Sequence, residues 1–440
     1  MKATRRSILF LTFAIIVLAG LAGGAWWYMH RAPATSAAPA TYKTAAEADQ
    51  YVRFDMEAYD LIQTNYWETM PDATLSDFFK KSLDKATGGS ATLATSTREG
   101  TADMLAAAFK AATSSEARLR LAQNVVIVAL FNLRPNGRNQ LFSQAQEKQL
   151  RQEVSNINPG TDLYANLGLA DNASSSAVDA AYAAKEATLA KATTTEAKQE
   201  LAKVTYAHKV LAQPTAKQLY DAQKIEPTLF VKRTGTTLYM NMTRVSPTTL
   251  YEFAVAIEAA STTPGMDSMI IDVRGNVGGA LDFLQAFLGL FMGQNQYAFD
   301  LYAHDTYDPQ RTTQAAYPLL ARYKQIAILT DDMTQSTAEL TAATFKRYHL
   351  AVLVGKTTHG WGTVENTYPI TTDIDPSAKY ALLLVNHITL SNDNQPIEGH
   401  GVVPDIDTTV SGWQSSVPRY FSAPSMIAAV RTYAAEAPQQ

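Results

Sequence analysis

No cysteine occurs anywhere in the 440 residues. That excludes a structural disulfide, a thiol nucleophile and a cysteine-ligated metal site. It also suits an oxidising compartment, where a stray thiol is a liability. Charge is scarce: Asp, Glu, Lys and Arg make up 18%, and 37 basic against 41 acidic residues leave a net charge of −4. Such a balance carries no electrostatic footprint for nucleic acid. The seven histidines are dispersed, without H-x-x-x-H spacing, so neither a zinc site nor another cofactor is expected. Acidic residues such as Asp331, Asp332 and Glu365 are scattered rather than paired, which offers little to a sugar-processing or cell-wall module. The 46% hydrophobic content is that of a globular protein, and the length calls for two or three domains.

The N-terminus holds the longest apolar run. Lys2, Arg5 and Arg6 precede ILFLTFAIIVLAGLAGGAWWYM (8–29), uncharged and about long enough to cross a bilayer. The flanking basic residues put the N-terminus in the cytoplasm and the bulk of the chain outside, in the periplasm or at the cell surface. A cleaved signal peptide is the alternative, but the run is long for one and no clean small-x-small site follows. Residues 1–30 are therefore expected to be a cytoplasmic stub and single-pass anchor, and the Pro/Ala/Thr-rich residues 31–44 a linker.

Residues 45–158 read as a helical domain, with apolar residues near i, i+3, i+4 and i+7. Within it LAQNVVIVALFNL (121–133) is apolar nearly all round and predicts a buried helix. Residues 160–224 read as further helices. From 226 to 425 strands and helices alternate: SMIIDV, QIAILT and AVLVG are short buried-strand runs with amphipathic helices between them, the order of an α/β core with parallel pairing.

Three stretches of this core carry candidate chemistry. RGNVGG (274–279) is a glycine-rich turn at a strand end, able to present backbone N–H groups to an anion or to be nothing more than a tight turn. In DDMTQSTAEL (331–340), Ser336 stands where a turn becomes a helix, in the field of the helix N-terminus. Ser336 and Glu339 also spell S-x-x-E, a capping box, and most such serines only cap. TTHGWGTVE (357–365) is a loop in which two glycines bracket Trp361.

Taken in order, strand–RGNxGG, strand–x-S-x-x-E–helix, VG-x-x-T-x-G-x-G-T-V and IEGHGVVPD (397–405) resemble the carboxyl-terminal processing peptidases, or tail-specific proteases. The resemblance spans about residues 235–410, and YDLIQTNYWETMPDATLSDFFKKSL resembles the helical lead-in of the same family. It implies a mixed sheet with flanking helices and a serine–lysine dyad acting on extracytoplasmic polypeptides near apolar C-termini. Ser336 then stands for the nucleophile, and the backbone N–H groups of Thr337 and of Gly278 or Gly279 for the oxyanion donors. The family's base lysine falls on Trp361, its steadying glutamine on Glu365, and a further aspartate on Arg347. Indole has a donor and no acceptor, so Trp361 cannot take the serine proton.

The family usually carries a PDZ domain between lead-in and core, and no such strand pattern is present. Residues 160–224 instead resemble a J-domain, through Asp162, Tyr164, Leu167, Gly168, Val210, Leu211, Pro214, Tyr220 and Asp221. The His-Pro-Asp tripeptide by which such domains act on their chaperone is missing between Tyr182 and Glu196, so a chaperone partner is not expected. A plain helical hairpin is the bland alternative.

Two functional expectations follow. One is a pseudo-peptidase that binds polypeptides or regulates a partner. The other is an active serine peptidase with a relocated base, His359 or Lys356. His359 would be steadied by Glu365 or Asp332. A solvated loop histidine is the bland reading of His359.

Overall fold

The computed structural model describes residues 43–438 apart from 159 and 192. The expected anchor, residues 1–30, lies outside them. Among the described residues no helix is long and apolar enough to cross a membrane.

The α/β core is built on a six-stranded sheet. Its strands are β2 (Leu229–Thr234), β3 (Thr237–Met242), β4 (Ser268–Asp272), β7 (Gln325–Thr330), β8 (Val352–Gly355) and β11 (Ile406–Asp407), side by side in the order β11-β8-β7-β4-β3-β2. Only the β2–β3 hairpin is antiparallel. Side chains alternate between the two faces. Met269 and Ile271 enter one core with Phe253, Phe287 and Phe345, while Ile270 enters another with Met426 and Val430. Both faces are covered, and this is why the strands read as continuous apolar runs. Helices α10 (Thr249–Ser261), α11 (Asp282–Met292) and α12 (Thr337–Arg347) cover the first face, and α13 (Pro424–Ala435) the second.

A second sheet is antiparallel. The long strand β10 (Tyr380–Thr389) pairs with β9 (Thr363–Pro369) along one edge. Its other edge takes β1 (Gln140–Ser143) and then β5 (Tyr297–Ala303), which pairs onward with β6 (Thr306–Arg311). Strand β1 is a correction to the all-helical reading of residues 45–158. It follows α1 (Gln50–Asn65), α2 (Asp72–Thr87), α3 (Arg98–Ala111) and α4 (Ser115–Asn132), and stitches that segment into the peptidase-like half. The helices also share one apolar cluster with Leu382 and Leu384 of β10. A second correction concerns α4: Ala122, Val125, Val126 and Leu130 are buried as expected, but Ile127 and Phe131 lie on an exposed face.

After α5 (Gln144–Val154), the chain leaves the core at Ile157 and returns at Ile225, and these two residues pair with each other. Between them come α6 (Leu163–Leu167), α7 (Ser175–Leu189), α8 (Thr195–Leu211) and α9 (Pro214–Gln223). Leu163, Tyr164, Val178, Val204, Leu211 and Tyr220 close a separate small core, to which β2 contributes Phe230.

Candidate active site

Parallel strands bring their C-terminal ends to one edge of the sheet, so the loops after β4, β7 and β8 meet although they are far apart in sequence. Backbone hydrogen bonds stitch the three together: Gln335 N–H donates to the Asn276 carbonyl (2.8 Å) and His359 N–H to the Thr334 carbonyl (3.0 Å). Asn276, fully buried, also donates its amide to the Met242 carbonyl and accepts the Gly278 N–H, both at 2.8 Å.

Ser336 stands at φ +54° and ψ −126°. A helix cap is ordinarily extended, and a left-handed φ is costly for a side-chain-bearing residue. This sharp strand-to-helix turn is the kind that lifts a nucleophile clear of its sheet. The capping box is made through Glu339, whose carboxylate accepts the Ser336 N–H (2.9 Å). The Glu339 N–H goes to the Ser336 carbonyl (2.8 Å), and the Ser336 hydroxyl makes no cap hydrogen bond.

Gly278 lies hard against this turn: a Cβ on it would come within 2.7 Å of the Ser336 Cβ. A Cβ on Gly279 would sit 1.7 Å from the Val245 carbonyl oxygen. No residue but glycine fits either place. The Gly278 N–H is engaged by Asn276, whereas among the described residues the N–H groups of Gly279 and Thr337 have no partner. The Thr337 hydroxyl holds the Gly279 carbonyl at 2.9 Å, fixing one beside the other.

Trp361 is held from three directions. Its N–H donates to Glu339 Oε2 (2.8 Å) and its indole Nε1–H to Glu365 Oε1 (3.2 Å). The Arg138 guanidinium lies 3.3 Å over its ring. Arg138 pairs in turn with Glu398 (3.2 Å), whose other oxygen takes the Gly362 N–H (2.8 Å). The cation–ring contact stabilises the loop by about 0.5–2 kcal/mol. Glu339, with no exposed surface, accepts from Ser336, Thr358, Gly360 and Trp361. One carboxylate therefore ties the serine turn to the tryptophan loop. Burial pushes the Glu339 carboxyl up, against the pull of those donors, and burial likewise raises that of Glu365.

The two candidate bases point elsewhere. His359 is exposed and its Nδ1 lies 3.2 Å from the Asp332 carbonyl oxygen. Lys356 pairs with the Asp332 carboxylate at 3.3 Å, and both are solvent-exposed. Among the described residues neither hydrogen-bonds to Ser336. Nor does His359 receive a carboxylate: Glu365 is taken by Trp361 and Thr363, and Asp332 by Lys356. Arg347 is at the far end of α12, bonded to the Ser391 carbonyl and the Asn394 side chain. Its helix carries it about 16 Å from Ser336, so it takes no part in this cluster.

Residues 236–408 match the model of peptidase family S41. The match covers the α/β core and less than half of the chain. No curated protein matches the chain. Among solved structures, the chain is similar to a lipoprotein from Streptococcus agalactiae: 13% identity, 87% of this chain and 99% of that one, TM-score 0.47. It is also similar to the photosystem II D1 C-terminal processing protease, at 11% identity over 86% of this chain and 99% of that one, TM-score 0.49. A putative S41 protease from Bacteroides fragilis NCTC 9343 is 16% identical over 48% of this chain and 58% of that one, TM-score 0.34.

Around this core, sequence reasoning missed three residues that shape the site. Glu339 had a signal, its place in S-x-x-E, but was read only as a cap. Glu398 lies inside IEGHGVVPD and was passed over. Arg138 had none: it comes from the helical segment, and only the pairing of β1 with β10 brings it to Trp361. Among the described residues no group of three or more histidine and carboxylate side chains is arranged to hold a metal.

Proposed function

We propose that this chain is a membrane-anchored, extracytoplasmic S41 homologue that binds polypeptides, C-termini among them, at the Ser336 turn and has lost most of its hydrolytic power. One observation carries the reading: the position of the family's lysine holds an indole that donates to Glu365 under a guanidinium, and neither group can accept a proton. A serine hydroxyl without a base is a poor nucleophile. Among the described residues the N–H groups of Gly279 and Thr337 have no partner, which supports continued binding of a carbonyl group at the turn. The J-like helices are proposed to serve packing or substrate contact.

The decisive experiment incubates the full chain, in detergent or nanodiscs, with unstructured polypeptides bearing apolar C-termini, and follows fragments by mass spectrometry beside Ser336→Ala. The expected result is binding without Ser336-dependent cleavage. Cleavage that disappears in the variant overturns the proposal and favours a second reading, an active peptidase with His359 or Lys356 as base. The strained φ of Ser336 supports that alternative, since a serine that only caps has no use for it. It requires His359 to turn away from the Asp332 carbonyl when substrate binds.

A further inference from the structure

One cavity of the core lies away from Ser336. It lies at the opposite edge of the sheet, where β7 and β8 begin and α12 ends, and has a volume of 460 Å³. Pockets of about 300–1,000 Å³ take small organic ligands. Its floor is apolar, from Ile326, Leu350 and Phe421. Its rim carries the cations Lys324, Lys346 and Arg347 and the imidazole of His349, against a single carboxylate, Asp405.

The basic residues divide into two kinds. Lys346 and Arg347 are committed. Lys346 bonds the Val403 carbonyl (2.8 Å) and Asp405 (3.1 Å), and Arg347 bonds Ser391 and Asn394. Both lie in the last turn of α12, where the helix field favours cations in any case. Lys324 and His349 are different. Among the described residues neither side chain has a hydrogen bond or ion pair, and Lys324 comes from another part of the chain. Asp405 is already neutralised by Lys346 and by the Leu353 N–H (2.9 Å). The cavity thus carries unanswered positive charge above an apolar floor.

We propose that it binds a carboxylate borne on a short apolar body, with Lys324 and His349 holding the anion and the floor taking the hydrocarbon. The source is a free small acid or the last residue of a polypeptide.

Hexanoate is titrated into the full chain by calorimetry, with 1-hexanol as the uncharged control. The expected result is millimolar binding of hexanoate, at least about tenfold tighter than hexanol, and a loss of about that factor in Lys324→Ala. Lys324 is exposed and without a partner, so the variant folds; His349→Ala checks the second contact. A short peptide ending in leucine is then compared with its C-terminal amide. Binding of the free-acid peptide alone assigns the site to polypeptide ends, and binding of hexanoate without the peptide assigns it to small acids. No hexanoate binding, equal binding of hexanol, or binding unaffected in both variants overturns the proposal.

Discussion

The Ser336 turn and the Trp361 loop share a carboxylate, Glu339, yet they hold different things in place. The serine turn is a backbone device. Its features are a left-handed φ at Ser336, two glycines that no other residue can replace, and N–H groups without partners among the described residues. The tryptophan loop is a side-chain device, in which carboxylates answer the donors: Glu365 takes the indole Nε1–H, Glu339 the amides of Gly360 and Trp361, and Glu398 that of Gly362. A backbone constellation survives exchange of its neighbours' side chains, because glycine sterics and strand ends maintain it. A base is one side chain, and one exchange removes it.

Four substitutions test this contrast, beginning with the largest effect. Gly279→Ala pushes a methyl group into the Val245 carbonyl, and chemical unfolding is expected to show a loss of more than about 3 kcal/mol with the serine turn displaced. A loss under about 1 kcal/mol would mean that the backbone device is soft and the contrast wrong.

Glu339→Gln keeps an acceptor for Thr358 and Gly360 but turns an NH₂ towards the N–H groups of Ser336 and Trp361. About 2–3 kcal/mol is expected to be lost. The variant also has a pH signature. Burial raises the folded Glu339 carboxyl above its ordinary 4.5, so its stabilising contribution is whole below pH 4.5 and is lost as pH rises through the folded value. The wild-type chain should therefore weaken over that window more steeply than Glu339→Gln. Parallel pH profiles would contradict the assignment.

Trp361→Lys returns an amine to the loop. If only the base is missing, Ser336-dependent cleavage should rise by about 10²-fold or more. A folded but inert variant would show that the serine turn has also lost its function.

Arg138→Ala removes the guanidinium from the Trp361 ring and leaves Glu398 unpaired. A loss of about 1 kcal/mol is expected, with no change in the serine turn. Protection of the Ser336 amide, which Glu339 holds, in hydrogen exchange is the readout, and a drop there would join the two devices into one.

Much of this was legible in the sequence, and the failures have physical causes. Strands β4, β7 and β8 announced themselves because both their faces are buried. The motifs after them could be assigned to one edge because parallel strands end together. Strand β1, four residues of QLFS, is too short to show a period and owes its conformation to β10. The apolar run in α4 predicted burial all round, but Ile127 and Phe131 face out, because an apolar helix need only bury the face its neighbours can reach. His359 and Lys356 were candidates by their nearness to Trp361 in sequence, and loop direction sent both to Asp332.

The sequence by itself determined the core's element order, the serine turn and the absence of a lysine at position 361, since each is written in local spacing and residue type. Only the tertiary structure decided what holds Trp361. Arg138 meets Glu398 across 260 residues, and Glu339 gathers donors from a loop about twenty residues on. Such contacts depend on sheet register and burial, which no local pattern encodes.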